Sequence, residues 1–174
     1  MQREATTGKG KVKPPLVVDA NIIFDLQCAG VLLLVFSLDY TFITTDLIEN
    51  ELKSVNPNIL RSAGLKVHSL SGSQMAEAYK LHAEYRKGPS IKDISAFIYA
   101  RDNNMTLATR DSGLWQVAAD QNVPVKETHD LIRALVEADV LTYKEGAKAL
   151  SKALARLPVQ RLDWADLIKD WHKR

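Results

Sequence analysis

The chain has 174 residues, a length typical of one domain or of one domain with appended helices. Its 23 lysine and arginine residues and 21 aspartate and glutamate residues give a formal net charge of +2, which excludes a polycationic tail protein but allows a local nucleic-acid-binding patch. The composition is that of a soluble globular protein, with 46% hydrophobic residues, and the single cysteine, Cys28, excludes an internal disulfide and a cysteine-based zinc site.

The first segment of the chain, residues 1–15, is polar and basic and lacks the apolar core of a signal peptide. We therefore expect a flexible basic leader there. The most apolar stretch, residues 31–38, is far shorter than the roughly 20 residues that a membrane span needs. Together with the lone thiol, which suits a reducing compartment, these features predict a cytoplasmic protein that does not contact membranes.

Short apolar or β-branched runs then alternate with amphipathic segments. We predict strands at residues 16–18, 40–44, 65–70, 105–108 and 123–125. Helices are predicted at 22–38 (interrupted at Gly30), 45–53, 73–87, from Ser90 onward, and at 112–120. This alternation predicts an α/β fold in which a parallel sheet has helices on both faces.

Beyond residue 128 the pattern is helical only. Thr142 and Glu145 have the spacing of a capping box for a helix that ends before Pro158. Asp163 begins a final amphipathic helix. We therefore predict one α/β domain at 16–141 and a C-terminal helical extension at 142–174, packed on the same domain.

Two acids follow predicted strands directly, at the edge of the sheet where ligands of open α/β folds bind. Asp19 ends the first strand, with Asn21 two residues later, and Asp111 follows the fourth strand. Glu51 and Asp93 lie on predicted helices that begin near the same edge. Four converging carboxylates would repel each other unless a cation lay between them, and clustered oxygen ligands suit Mg²⁺ or Mn²⁺.

Each of these acids also has a structural interpretation. Asp111 suits the N-cap of the next helix, and Asp93 stands three residues after Ser90, as in a capping box. Asp19 could close a turn after its strand, and a helical glutamate such as Glu51 is usually solvated. Composition and spacing alone therefore leave the metal site as a hypothesis.

The acids stand in four segments: VVDANII at 17–23, ITTDLIENEL at 43–52, SIKDISA at 90–96 and LATRDSGL at 107–114. In this order the segments resemble the acidic motifs of PIN-domain nucleases, and in particular those of VapC-like toxin ribonucleases from prokaryotic toxin–antitoxin pairs. The resemblance runs over residues 16–141. It implies a PIN-like three-layer sandwich with a central parallel sheet.

The resemblance also implies roles for residues of this chain. Glu51 is preferred to Glu49, because the family's acid precedes a leucine, as Glu51 precedes Leu52. The implied catalytic and metal-binding carboxylates, for Mg²⁺ or Mn²⁺, are Asp19, Glu51, Asp93 and Asp111, with Asn21, Thr109 and Ser112 as supporting polar groups. Lys92 and Arg110, each adjacent to an acid, are weaker candidates for contacts with RNA phosphates, and either could instead face solvent.

The implied activity is endonucleolytic hydrolysis of RNA, leaving a 5′-phosphate and a 3′-hydroxyl. A cognate antitoxin and a homodimer are implied as well. Two alternatives stay open: a catalytically silent PIN-like binding module, and a Mg²⁺-dependent phosphatase acting on small phosphorylated substrates. The phosphatase would need Asp-x-Asp after the first strand, and Asn21 occupies the last of those positions.

Histidine and tryptophan residues give no competing site in the sequence. His68, His82, His129 and His172 lack the spacing of metal ligands, so we expect structural histidines. We interpret Trp115, Trp164 and Trp171 as packing residues, because no basic and aromatic RNA-recognition motif surrounds them.

Overall fold

The computed structural model of the chain describes residues 12–85 and 88–174, so most of the predicted leader lies outside the described residues. The strands are β1 (Pro15–Val18), β2 (Thr41–Thr45), β3 (Lys66–His68), β4 (Thr106–Ala108) and β5 (Val125–Lys126). The helices are α1 (Ala20–Ala29), α2 (Asp46–Glu49), α3 (Pro57–Ala63), α4 (Gly72–Glu84), α5 (Ile91–Asp102), α6 (Ser112–Asp120), α7 (Thr128–Glu137), α8 (Tyr143–Leu154) and α9 (Leu162–Trp171).

The five strands form one parallel sheet in the order β3-β2-β1-β4-β5. β1 is central, and its residues Leu16, Val17 and Val18 are all buried. Because successive side chains of a strand point to opposite faces, both faces of the sheet must be covered. Helices flank the sheet, and α5 packs directly against β1, β2 and β4. The prediction of an α/β fold with a central parallel sheet is confirmed.

The structure differs from the predicted elements between β1 and β3. α1 ends at Ala29, and Gly30 caps it with a φ of 76°, the left-handed conformation that glycine adopts most easily. The predicted continuation of the helix to residue 38 is wrong, because only a four-residue 3₁₀ helix, Leu34–Ser37, follows Gly30. α2 is a single turn that ends at Glu49, so Glu51 lies in the following turn and not on a helix as predicted. α3 was not predicted, although Asn56 caps it and Pro57 occupies its first turn.

The C-terminal helices pack on the rest of the chain. α8 begins with the predicted capping box of Thr142 and Glu145 and packs against α1, α7 and α9. Gly146 permits this close approach, because a Cβ atom there would lie 2.5 Å from Cγ2 of Val136. The boundary between the domain and its C-terminal extension at residue 141 stays a prediction. Within residues 12–85 and 88–174, no helix combines the length and apolar character that a membrane crossing requires.

Candidate active site

The carboxyl ends of β1 and β4 bring two predicted site residues together. The strands pair with Val18 opposite Ala108, so Asp19 and Thr109 follow at the same edge of the sheet. The Thr109 hydroxyl donates a hydrogen bond of 2.8 Å to Oδ2 of Asp19, and both residues are fully buried. The backbone N–H of Ala20 donates to the other carboxylate oxygen, at 2.6 Å. Asp19 therefore caps α1 and is held in one orientation.

Asn21 connects the start of α1 to the loop that follows β4. Its Nδ2 donates to Oδ2 of Asp19 at 2.6 Å, and its Oδ1 accepts from the backbone N–H of Arg110 at 3.1 Å. Asn21 and Thr109 thus both contact Asp19, the first from α1 and the second from the end of β4.

Asp111 lies beside this pair, at the start of α6. Its Oδ1 accepts a 2.7 Å hydrogen bond from the N–H of Leu114, which makes it the N-cap of α6. Its own N–H donates to the Thr109 hydroxyl at 3.1 Å. Thr109 is therefore hydrogen-bonded to both acids at once. The N-cap interpretation of Asp111 is correct, and it leaves Oδ2 without a hydrogen bond among the described residues.

Asp93 occupies the third position of α5 and forms the predicted capping box with Ser90, whose N–H donates to its Oδ2 at 2.8 Å. Its negative charge acts on Asp19. Burial, and after it the repulsion from Asp93, raise the pKa of Asp19 to about 8, although hydrogen bonds from Thr109 and Ala20 act in the opposite direction. Asp93 is therefore near enough to Asp19 for its charge to disfavour the ionised form of Asp19.

The first turns of α5 and α6 lie against each other. A Cβ atom at Gly113 would come within 2.9 Å of Cδ of Pro89, and within 3.2 Å of Oδ1 of Asp111. Pro89 directly precedes the Ser90 cap of α5. Glycine in α6 thus allows the helix starts that carry Asp93 and Asp111 to pack closely at one edge of the sheet.

Glu51 and Glu49 are distinguished by their partners. Glu49 forms two hydrogen bonds of 2.6 Å with the guanidinium of Arg61. Glu51 lies 3.5 Å from Nζ of Lys92, which neighbours Asp93 in sequence. The partially exposed Glu51 is therefore next to the first turn of α5, whereas Glu49 is engaged by α3.

The two basic candidates are both in ion pairs. Lys92 is paired with Glu51, and its side chain is about half exposed. Arg110 donates to both carboxylate oxygens of the buried Asp25, at 2.8 and 3.1 Å. Thr128 donates to the same carboxylate at 2.8 Å, so this acid ties α1, the β4–α6 loop and α7 together.

Two residues that shape the site were not predicted, although the sequence contains a pattern that could have indicated them. Asp25 is an acid on the apolar helix α1, a placement that demands a charged partner. Ser95 lies one turn from Ile91 on the buried face of α5, and its hydroxyl is 2.7 Å from that of Thr45, the N-cap of α2. These contacts fix α1 and α5 around the sheet edge.

The acids do not form a closed ligand cage in this conformation. In the described part of the chain, one group of three metal-ligating side chains has its ligand atoms all within 4.8 Å of one another, and it consists of Glu127, His129 and Asp163. The four predicted acids are not in it. Arg161 donates to both Glu127 and Asp163, at 2.5 and 2.7 Å, so a guanidinium is already paired with both carboxylates.

The expectation for the tryptophans needs one correction, whereas the expectation of structural histidines stays a prediction. His129 lies among acids, with its Nδ1 3.4 Å from Glu127 and its Nε2 3.5 Å from Asp130. Trp164 and Trp171 are buried as predicted, but Trp115 is 40% exposed. Its position on α6, one turn after Asp111, makes it part of the surface beside the acids.

Comparisons with known proteins give structural similarity only. No family model and no curated protein matches the chain. It is similar to the solved structure of the PilT N-terminus domain protein SSO1118 from Sulfolobus solfataricus, with 15% identity, a TM-score of 0.47, and coverage of 71% of this chain and 94% of that one. It is also similar to PAE2754 from Pyrobaculum aerophilum, with 17% identity, a TM-score of 0.47, and coverage of 78% and 99%. These similarities carry no functional information about this chain.

Proposed function

We propose that this protein is a metal-dependent endoribonuclease of PIN type, with Asp19, Glu51, Asp93 and Asp111 as its metal-binding carboxylates. The observation that carries the proposal is the Thr109 hydroxyl, which is hydrogen-bonded both to the buried carboxylate of Asp19 and to the backbone of Asp111, so that two acids from neighbouring strand ends lie together. A buried carboxylate with a second acid against it is unfavourable in the absence of a cation. Such a pair is typical of a site whose function needs concentrated negative charge.

The donor set fits a hard divalent cation. All four side chains offer carboxylate oxygens, which Mg²⁺ and Mn²⁺ prefer, and no sulfur or imidazole ligand lies among them. Asp111 keeps one oxygen without a hydrogen bond to the described residues, and Glu51 is partially exposed. A bound ion would supply an activated water and neutralise charge on the scissile phosphate.

Other features of the chain suit a phosphodiester substrate. α1, α5 and α6 all begin at this edge of the sheet, and helix N-termini favour anions. Thr109 and Asn21 hold Asp19 in a fixed orientation, which is the contribution of supporting groups at a metal site. Lys92, half exposed beside Glu51, would contact a phosphate of the RNA backbone.

The assignment of the protein as a toxin rests on the four acidic segments. Their resemblance to VapC-like toxins supports a toxin of a toxin–antitoxin pair, with residues 16–141 as the nuclease domain and 142–174 as its helical extension. A cognate antitoxin that covers the acidic edge, and a homodimer, belong to the same proposal. Expression of the wild-type chain would then arrest bacterial growth, whereas the Asp19→Asn variant would not.

A parallel assay on two substrates tests the reaction class. The protein is incubated with Mn²⁺ and either a 5′-labelled single-stranded RNA or a small phosphate monoester. We expect RNA fragments with 3′-hydroxyl ends and no release of phosphate from the monoester. Phosphate release without RNA cleavage would show a phosphatase, and would overturn the proposal. Asp19→Asn should lose the RNA cleavage, and Asp166→Asn, at an exposed position on α9, should keep it.

A further inference from the structure

A cavity of about 490 Å³ opens directly beside Asp111. One wall is the start of α6, with Ser112 and Trp115. The other is the connection between α8 and α9, with Leu157, Val159 and Arg161. The volume lies in the range of pockets that hold small organic groups. The C-terminal extension therefore forms half of a cavity whose other half begins at a proposed catalytic acid.

Trp115 presents an aromatic surface to this cavity. The backbone N–H of Trp115 donates to the backbone oxygen of Asp111 at 2.9 Å, so the two residues are one helical turn apart and lie on the same side of α6. Leu114, Val117 and Ala118 of the same helix are buried in the core, but the indole is 40% exposed. An exposed aromatic ring next to a nuclease site is suited to stack on a base.

The opposite wall combines apolar surface with a fixed cation. Val159 lines the cavity and is 63% exposed. Arg161 is held by Glu127 and Asp163, and its guanidinium lies 5.0 Å from the centre of the Trp164 ring. Because these contacts restrain Arg161, its remaining N–H groups are placed without further loss of side-chain freedom.

We propose that this cavity binds one unpaired base of the RNA substrate, next to the phosphate that is cleaved. Trp115 stacks on one face of the base and Val159 covers the other, while Ser112 and Arg161 donate hydrogen bonds to acceptors on its edge. This inference rests on the proposed ribonuclease function. It deepens that function by requiring single-stranded RNA, because a base in a duplex is stacked and paired and cannot enter.

Equilibrium binding separates this inference from the cleavage reaction. Fluorescence anisotropy of a labelled single-stranded RNA is measured in EDTA, where no cleavage occurs, with a duplex of the same length in parallel. We expect Trp115→Ala to weaken single-strand binding about tenfold, the loss typical of one stacked base, and Trp115→Phe to retain most of it. Val159→Asp should also weaken binding, because its carboxylate enters the base cavity.

Two variants control for surface changes elsewhere. Tyr143→Ala removes an aromatic side chain that is also 40% exposed, and it does not line the cavity. Val12→Asp introduces the same charge at an exposed valine that precedes β1, at the opposite end of the strand from Asp19. Both controls should bind like the wild type.

The possible outcomes are distinct. Weaker binding by Trp115→Ala and Val159→Asp, with unchanged controls and poor duplex binding, would support the base cavity. If the wild type cleaves RNA in the presence of metal but Trp115→Ala and Val159→Asp bind RNA with the wild-type affinity, the base cavity is overturned and the nuclease function remains. Equal affinity for duplex and single strand would overturn the cavity too. Neither binding nor cleavage by the wild type would overturn both.

Discussion

The Thr109 hydroxyl donates a 2.8 Å hydrogen bond to Oδ2 of Asp19, ninety positions away in sequence. The same oxygen atom of Thr109 accepts the backbone N–H of Asp111. One small side chain therefore sets the relative positions of two proposed metal ligands, from the ends of two neighbouring strands.

Replacing Thr109 with valine tests this connection. Thr109→Val keeps the shape of the side chain but removes the donor to a buried carboxylate and the acceptor for Asp111. We expect a loss of about 1–2 kcal/mol in the free energy of unfolding and a clear fall in the rate of RNA cleavage. Thr109→Ser, which keeps the hydroxyl, should cleave at close to the wild-type rate. Urea unfolding and a cleavage time course measure the two effects, and wild-type cleavage by Thr109→Val would contradict the assigned role.

Removing the charge of Asp93 should have opposite effects on stability and activity. Asp93→Asn relieves the repulsion on Asp19 and keeps an oxygen for the cap with Ser90. In EDTA and at a pH above the pKa of about 8 of Asp19, where both acids are charged in the wild type, we expect a melting temperature higher by about 2–4 °C, which corresponds to about 1 kcal/mol in a chain of this size. RNA cleavage should be lost.

A Mg²⁺ titration by thermal unfolding completes this test. The ion should raise the melting temperature of the wild type, because it binds the folded state, and it should have a smaller effect on Asp93→Asn. If the variant were instead less stable, responded fully to Mg²⁺ and cleaved RNA, Asp93 would only be the cap of α5.

The choice between Glu51 and Glu49 can be made with matched variants. Glu51→Gln should lower cleavage about 100-fold, the scale of losses at metal sites. Glu49→Gln weakens only the pair with the exposed Arg61 and should leave the cleavage rate unchanged. The reverse pattern of rates would assign the metal site to Glu49.

The ion pair of Arg110 and Asp25 is predicted to be structural. Arg110→Met leaves Asp25 buried with Thr128 as its remaining side-chain donor, and we expect a loss of about 2–3 kcal/mol in the free energy of unfolding. Adding Asp25→Asn should recover part of that loss, because the uncompensated charge is removed. Urea unfolding of the two single variants and the double variant measures this coupling. If Arg110→Met kept the wild-type stability and weakened only RNA binding, Arg110 would be a phosphate contact.

The sequence predicted those parts of the molecule that depend on local signals. The alternation of short apolar runs with amphipathic segments indicated the parallel sheet. The capping boxes at Ser90 and Thr142 correctly predicted where α5 and α8 begin. Residues that act through distant partners were harder to place. Asp25 and Arg110 meet only because α1 and the β4–α6 loop adjoin in the fold, and no spacing in the sequence shows that contact.

The same difference between local signals and distant contacts applies to the residues of the candidate site. Asp19 and Asp111 follow strands, so the position of the sheet edge was sufficient to place them together. Glu51 was assigned to a helix that ends two residues earlier, because Leu47, Ile48 and Leu52 have a helical spacing that a turn also satisfies. The exposure of Trp115 depends on the path of residues 157–161, which the composition of α6 does not reveal.

Cleavage of total RNA by the wild type and by Asp111→Asn, each with Mn²⁺, Mg²⁺ or EDTA, tests the proposed function most directly. Asparagine is as good an N-cap as aspartate, so the variant should keep α6 and the fold, which its circular dichroism spectrum checks. We predict cleavage by the wild type with a divalent ion, none in EDTA, and none by the folded variant. Cleavage by Asp111→Asn at the wild-type rate, or equal cleavage in EDTA, would contradict the metal-dependent nuclease.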